Sequence, residues 1–194
     1  MMIFANAFAE NLLAPGADEL TRLRRRDPAA LASIVERYRH RLYRYLVRVV
    51  GAGALADDVF QQTWLHVVRQ IHHYDTARSF DTWLFAIAHN AAIDVLRAKS
   101  GESLDDDAAW PVAAADALTQ AITAERAAIL ASQVDALPPL FREAVTLRFE
   151  EGMKLEQIAE VTGVPLATAK SRLHRGLESL RRGITARWRK EDLL

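Results

Sequence analysis

Residues 154–177 read KLEQIAEVTGVPLATAKSRLHRGL, and this stretch decides the fold of the C-terminal half. Its first part predicts a short helix, and Gly163 predicts a tight turn because glycine adopts a positive φ without steric cost. Apolar residues of the following helix recur every three or four positions, at Leu166, Ala169, Leu173, Leu177 and Leu180. A short helix, a tight turn and a second helix together form a helix-turn-helix.

The second helix of this motif is strongly basic. Between Pro165 and Lys190 it has eight Lys and Arg residues against one acid, Glu178. A basic helix is usually only a solvated surface, but its position in a helix-turn-helix favours DNA binding, because such a helix fits the major groove. We expect base contacts from residues near its start: Thr168, Lys170, Ser171, His174 and Arg175.

Three further helices are predicted in the N-terminal half. Asp27-Pro28 is a typical helix start, with Asp as the N-cap and Pro at the first helical position. Apolar residues recur at helical spacing over 31–49, with arginines between them. A second helix opens near Asp57-Asp58, and a third runs from about Phe80 to Leu96. With only 8 Gly and 6 Pro in 194 residues, the fold class is all-α.

The formal net charge of zero hides a strong segregation of charge along the chain. Residues 21–100 have net charge +6 and residues 136–194 have +3, whereas residues 101–135 have −6 and residues 1–20 have −3. The acidic middle is aperiodic at its start, which is typical of a linker. We therefore predict two small helical lobes joined by a flexible acidic linker; a solubilising loop within one domain is the alternative.

Composition and motifs exclude several classes of function. The chain has no Cys, which excludes disulfides, a thiol nucleophile and a Cys-ligated zinc site. Adjacent His72 and His73 point in different directions and lack a third ligand, so we predict neither a metal site nor a cofactor. No phosphate loop or nucleophile motif indicates an enzyme. No apolar run is long enough to span a membrane, and the first residues lack the charge pattern of a signal peptide, so we predict a cytoplasmic protein.

Taken together, the two lobes resemble the extracytoplasmic-function (ECF) sigma factors, the smallest sigma factors of bacterial RNA polymerase. In the first lobe the resemblance rests on residues 27–45, 56–64 and 80–97, and in the second on Leu137-Pro138 and on residues 158–160 and 168–175. It implies an N-terminal extension (1–20), region two (21–100), an acidic linker (101–129) and region four (130–194).

The resemblance also implies a role for individual residues. Contacts to the β′ clamp helices of core RNA polymerase would come from Asp57, Asp58, Gln61 and Gln62, although the family usually has an acid where Gln62 stands. Recognition and melting of the −10 element would involve His72, His73, Tyr74, Asp75, Arg78, Asn90, Asp94 and Arg97. Recognition of the −35 element would involve Thr168, Lys170, Ser171, Arg172, His174 and Arg175. Other expected partners are the polymerase β flap, promoter DNA and an anti-sigma factor.

Other interpretations stay open at this point. A self-sufficient transcriptional regulator would bind DNA through residues 137–185 and sense a ligand or dimerise through residues 1–100. A third interpretation is a helical protein-interaction adaptor, whose charged residues would only be part of a solvated surface. The aromatic residues of the 71–78 loop favour a sigma factor, because a reader of duplex DNA need not hold unpaired bases.

Overall fold

The computed structural model describes residues 14–100 and 123–191, and over these ranges the chain forms α-helices, one 3₁₀ turn and no strand. The helices of the first lobe are α1 (Ala17–Arg24), α2 (Pro28–Val50), α3 (Ala54–Gln70) and α4 (Phe80–Ser100), with the 3₁₀ turn (Ile71–His73) after α3. Those of the second lobe are α5 (Thr123–Asp135), α6 (Pro139–Phe149), α7 (Leu155–Thr162) and α8 (Leu166–Glu191). The all-α prediction is confirmed.

Sequence signals place several helix ends where they were expected. The Asp27 carboxylate accepts a hydrogen bond from the Ala29 amide at 2.9 Å and so caps α2, with Pro28 at its first position. Gly51 ends the helix with φ of 87°. Gly163 ends α7 in the left-handed conformation with φ of 64°, which a side chain would strain.

The first lobe is built around α2, whose apolar stripe faces α3 and α4. Ile34, Leu42 and Leu46 are fully buried, and the Tyr45 ring packs edge-on against Phe85 of α4, with ring centroids 5.1 Å apart. Short α1 also belongs to this lobe. Its Glu19 forms an ion pair with Arg37 of α2 at 2.9 Å, and its Leu20 and Leu23 join the core. Part of the stretch expected to be an N-terminal extension therefore packs on the lobe.

The second lobe is organised by α8, which packs along α6. A Cβ atom at Gly176 would lie only 2.9 Å from Val145 Cγ2 and 3.2 Å from the Phe141 carbonyl oxygen, so the two helices approach closely at this glycine. Val134, Leu137, Val145 and Leu180 form the local core. Helix α5 begins at Thr123, inside the segment expected to be linker. Residues 101–122, which carry most of that segment, lie outside the described residues.

The two lobes are packed against each other. Helix α7 lies on α4 and α6 lies on α2. Leu147, Met153, Ile158 and Val161 of the second lobe share one apolar core with the residues of the first. This packing was not predicted from the sequence, since a charge pattern along the chain carries no information about which helix faces meet.

Candidate functional site

One helical surface of the first lobe combines polar side chains with a single exposed leucine. The four residues expected to bind polymerase, Asp57, Asp58, Gln61 and Gln62, are all exposed on α3. Tyr43 of α2 donates a hydrogen bond to Asp57 at 2.9 Å. Leu65, which sequence reasoning missed, lies one further turn along and is 54% exposed. We refer to Asp57, Asp58, Gln61, Gln62 and Leu65 as the α3 surface. An apolar side chain among polar ones is typical of a surface that a partner covers.

The loop after α3 contains one buried aromatic residue and several exposed polar residues. His72, His73, Asp75 and Arg78 are exposed. Tyr74 is only 3% exposed, and its hydroxyl donates to the Arg78 carbonyl oxygen at 2.7 Å. Its ring packs against Phe80 and Trp83, with centroids 5.6 and 4.9 Å away.

Tyr74 therefore shapes this loop, and its ring is covered by two aromatic rings from the start of α4. Asp75 orders the same loop, because its carboxylate accepts a hydrogen bond from the Ala77 amide at 2.9 Å.

Helix α4 presents a polar stripe next to this loop. Asn90, Asp94 and Arg97 are exposed and recur every three or four residues, so they share one face. His89, between this face and the second lobe, is buried.

In the helix-turn-helix, α8 presents most of the expected DNA-reading side chains to solvent. Lys170, Ser171, His174 and Arg175 are exposed, whereas Thr168 is half-buried. Ala169 is 1% exposed and anchors the start of the helix to the core. Arg172 differs from its neighbours because it is half-buried, and its charge acts on His89 and Glu143 of the interior.

Charged residues that sequence analysis did not single out meet in the interior between the lobes. Arg41 of α2 is 6% exposed and bridges Asp81 of α4 and Glu151 of the second lobe, with N–O distances of 3.0 Å to each. Burial raises the pKa of Glu151 to about 7, against the lowering effect of Arg41. Tyr38 also donates a hydrogen bond to Asp81. Periodicity assigned Arg41 to the polar face of α2, and no local signal reveals a partner 110 residues away.

A second polar group is centred on Glu143 of α6, which is 3% exposed. Its Oε1 atom accepts a hydrogen bond from the Tyr45 hydroxyl at 2.5 Å and lies 2.7 Å from His89 Nδ1. Burial favours the neutral form of Glu143, but the neighbouring His89 and the hydrogen bonds lower its pKa. Burial alone would lower the pKa of His89, and the Glu143 carboxylate outweighs this effect and raises it. The contact between His89 and Glu143 thus favours the charged forms of both groups, and it lies between the lobes.

Further polar contacts surround these two groups. Arg48 of α2 forms ion pairs with Asp135 and, at 3.3 Å, with Glu150. The Gln157 amide donates to the Thr82 hydroxyl at 3.0 Å. All these pairs join one lobe to the other.

Within the described ranges, no group of three or more His, Asp or Glu residues is arranged to hold a metal ion. In the same ranges, no helix has the length and apolar character needed to cross a membrane.

Both lobes match known protein families. Residues 34–102 match the family model of sigma-70 region 2, and residues 127–180 match that of sigma-70 region 4. RNA polymerase sigma factor CarQ of Myxococcus xanthus is 36% identical over 78% of this chain and 87% of its own length. The ECF RNA polymerase sigma factor SigW of Bacillus subtilis is 28% identical over 84% of this chain and 93% of its own.

The fold also matches a solved structure. The sigma factor RpoE in its co-crystal structure with the anti-sigma factor NepR from Bartonella quintana gives a TM-score of 0.65, at 20% identity over 79% of this chain and 96% of that one. The helix-turn-helix, the helical first lobe and these relatives together establish that the chain belongs to the ECF group of sigma-70-like RNA polymerase sigma factors.

Proposed function

We propose that this protein docks on core RNA polymerase through the α3 surface, reads the −35 element with α8, and recognises and melts the −10 element with α4 and the preceding loop. The observation that carries the proposal is the presence of three separate exposed polar surfaces on a rigid helical frame. Each lies on an element that matches its region in the family.

The α3 surface suits a protein partner. Asp57 and Asp58 supply negative charge, Gln61 and Gln62 supply hydrogen-bonding groups, and Leu65 supplies an apolar contact one turn further along the same face. Polar groups next to an exposed apolar side chain have the composition of a protein interface. The β′ clamp helices are the partner that we assign to it, and the β flap is the partner of the second lobe.

Two surfaces suit nucleic acid. On α8, Lys170 and Arg175 are exposed cations that can bind phosphates or guanine edges, and Ser171 and His174 add hydrogen-bonding groups. On the first lobe, His72, His73, Asp75 and Arg78 line the loop and Asn90, Asp94 and Arg97 line the adjacent helix face. Holding an extruded base offsets the few kcal/mol lost on unstacking it. In this assignment Tyr74 positions the loop.

We further propose that the protein is not an enzyme, that it acts in the cytoplasm where polymerase and DNA are found, and that an anti-sigma factor controls it. The co-crystal of RpoE with NepR supports the last point by likeness of fold.

Run-off transcription with bacterial core polymerase tests the proposal. We expect discrete transcripts from genomic fragments only when this protein is added, with shared −35 and −10 sequences upstream. Arg175→Ala should reduce transcription from promoters that need the −35 element, while Glu178→Ala, on the same helix, should not. Tight and specific DNA binding without polymerase, together with no transcripts, would contradict the proposal and favour a stand-alone regulator.

A further inference from the structure

Helix α1 ends in a turn that has an arginine where glycine is usual. The Arg26 amide donates a hydrogen bond to the Leu23 carbonyl oxygen at 2.9 Å. The next amide, that of Asp27, donates one to the Arg22 carbonyl oxygen at 3.1 Å. These two bonds form a Schellman motif, in which the residue after the C-cap adopts the left-handed conformation and is usually glycine. That residue here is Arg26, with φ of 58°.

The contacts of the described residues do not account for an arginine at this position. The Arg26 side chain is exposed, and among residues 14–100 and 123–191 it has no acidic partner. The same holds for Arg25, whereas Asp27, the next acid in the chain, pairs with Arg22 at 2.8 Å. Glycine would relieve the backbone strain at position 26, so the strained arginine indicates a function for its side chain. We refer to Arg25 and Arg26 as the turn arginines.

The turn arginines lie next to the loop after α3. Helix α1 packs on the 3₁₀ turn that begins this loop. At the end of α1, Nη2 of Arg24 donates a hydrogen bond to the Tyr74 carbonyl oxygen. Arg24 therefore fixes the helix end to the backbone of the loop, and the turn arginines follow it directly in the chain.

Two cations at this position suit a DNA strand that passes the loop. An extruded base stays attached to its strand, so the phosphates on either side of it come to the loop together with the base. An arginine guanidinium is always protonated and can bind a phosphate through two hydrogen bonds. Each such contact also releases counterions from the DNA, which increases affinity.

We propose that the turn arginines form a phosphate-binding site for the single strand of promoter DNA whose base enters the loop after α3. Arg24 is the positioning residue that holds this site against the loop. The inference rests on the proposed function, because the strand is single only after the promoter melts. The site adds a backbone contact to the base recognition that we assign to the loop, and its residues lie outside 34–102, the range that matches sigma-70 region 2.

Three variants separate the charge of Arg26 from its backbone conformation. Arg26→Gly removes the cation and relieves the strain, so it should not lower the midpoint of thermal unfolding. Arg26→Lys keeps the positive charge. Arg39→Gln is the matched control, because it removes one positive charge from an exposed position about three turns into α2. The contact that Arg39 makes with Glu36 spans 3.8 Å.

The first measurement follows the binding of a promoter fragment by the full chain assembled with core RNA polymerase, as a function of NaCl concentration. The fragment is one recovered by run-off transcription. Arg26→Gly should make the slope of log affinity against log salt shallower by about 0.7, and should lower affinity about fivefold at about 0.1 M NaCl, because one phosphate contact to a single strand is lost. Arg26→Lys and Arg39→Gln should keep the slope of the parent protein.

The second measurement locates the contact on the DNA. Neutral methylphosphonates replace single phosphates, one at a time, along each strand of the −10 element. At one position the parent protein should lose affinity about fivefold. Arg26→Gly should be insensitive to the replacement at that same position, because its contact is already absent.

The outcomes separate the phosphate site from the proposed function. An unchanged salt slope for Arg26→Gly, or an equal change for Arg39→Gln, would overturn the site. Weaker binding of Arg26→Gly to core polymerase without DNA would also overturn it, by assigning the turn arginines to a protein partner. A lower unfolding midpoint for Arg26→Gly would show that the side chain supports the fold instead. If the parent protein forms no promoter complex with core polymerase, the sigma function fails and the site fails with it.

Discussion

The two lobes differ in how much apolar core each builds by itself. The first lobe is closed mainly by apolar and aromatic side chains, such as Ile34, Leu42 and Phe85, although its Arg41 and His89 are buried as well. The separate core of the second lobe consists of Val134, Leu137, Val145 and Leu180, and its helix α6 also buries Arg142, Glu143 and Thr146. Arg142 donates a hydrogen bond to the Arg48 carbonyl oxygen of the first lobe at 3.1 Å. The first lobe therefore builds most of its apolar core by itself, while the second depends on the first for part of its interior.

Separate expression of the lobes should show the largest effect. A fragment of residues 14–100 should unfold cooperatively in urea, since its core is internal. A fragment of residues 123–194 should unfold at a much lower midpoint, because Leu147 and Ile158 lose their apolar neighbours and Glu143 loses its partners. Equal midpoints for the two fragments would break the comparison between the lobes.

Removal of the Glu143 carboxylate should have the second-largest effect on stability. Glu143→Ala should lower the free energy of unfolding of the whole chain by about 3 kcal/mol, because it leaves His89 and Tyr45 buried without their acceptor. Chemical denaturation measures this loss. Glu178→Ala, at an exposed position of α8, is the control and should change the free energy of unfolding by less than about 0.5 kcal/mol. A similarly small effect at Glu143 would mean that its contacts contribute little.

A side chain added at Gly163, in the turn of the second lobe, should lower the free energy of unfolding by a smaller amount. Gly163 has φ of 64° and nothing within 4 Å of the position of a Cβ atom. Gly163→Ala should therefore cost only the strain of the left-handed conformation, about 1 kcal/mol of unfolding free energy. Asp27→Ala, which removes the cap of α2 in the first lobe, should likewise lower stability without disturbing the contact between the lobes. A much larger loss at Gly163 would show that the turn also supports the contact between the lobes.

The pH dependence of lobe closure should be the mildest effect. In the closed protein the Glu143 carboxylate raises the pKa of His89. Protonation of His89 therefore stabilises closure fully at a pH below its ordinary pKa near 6.5, and this stabilisation is lost as pH rises through the higher pKa of the closed state. Burial raises the pKa of Glu151 to about 7, so the contribution of Glu151 to closure also falls as pH rises from 4.5, the ordinary pKa of this group, through about 7.

The other groups facing His89 are Arg97 of α4, Arg172 of α8 and Tyr45 of α2, the last through Glu143. Those facing Glu151 are Arg41, Arg44 and Glu150.

Pulsed electron paramagnetic resonance measures this dependence, with one spin label on each lobe at Ala32→Cys and Glu156→Cys, two exposed positions of a chain that has no cysteine of its own. The closed fraction should decrease between pH 6 and pH 8.5, and His89→Gln should make it less dependent on pH. A closed fraction that increases with pH would contradict the sign derived from His89 and Glu151.

Local signals in the sequence predicted much of the fold. The Asp27-Pro28 cap, the positive φ at Gly163 and the apolar stripe of α2 each depend on residues close together in the chain, and the structure confirms them. The stripe expected on α8 is confirmed in part, because Ala169 and Leu180 are buried whereas Leu166 and Leu177 are exposed. The exposure of the polar residues on α3 follows from the same periodicity.

Features that depend on distant residues could not be predicted in this way. Arg41 has the same local pattern as exposed Arg44, yet its partners Asp81 and Glu151 lie 40 and 110 positions away. The burial of Tyr74 could not be predicted from its neighbours in the chain, because the rings that cover it belong to the next helix. The packing of one lobe on the other likewise depends on pairs such as Glu143 and His89, which no spacing rule connects.

The distance between the two lobes, measured on the free protein and again after addition of core RNA polymerase and promoter DNA, tests the central claim most directly. With labels at positions 32 and 156, the account predicts a single narrow distance for the free protein, replaced by a much longer one in the polymerase–promoter complex. The same distance in both states would contradict it, because a closed protein would then be occupying both promoter elements.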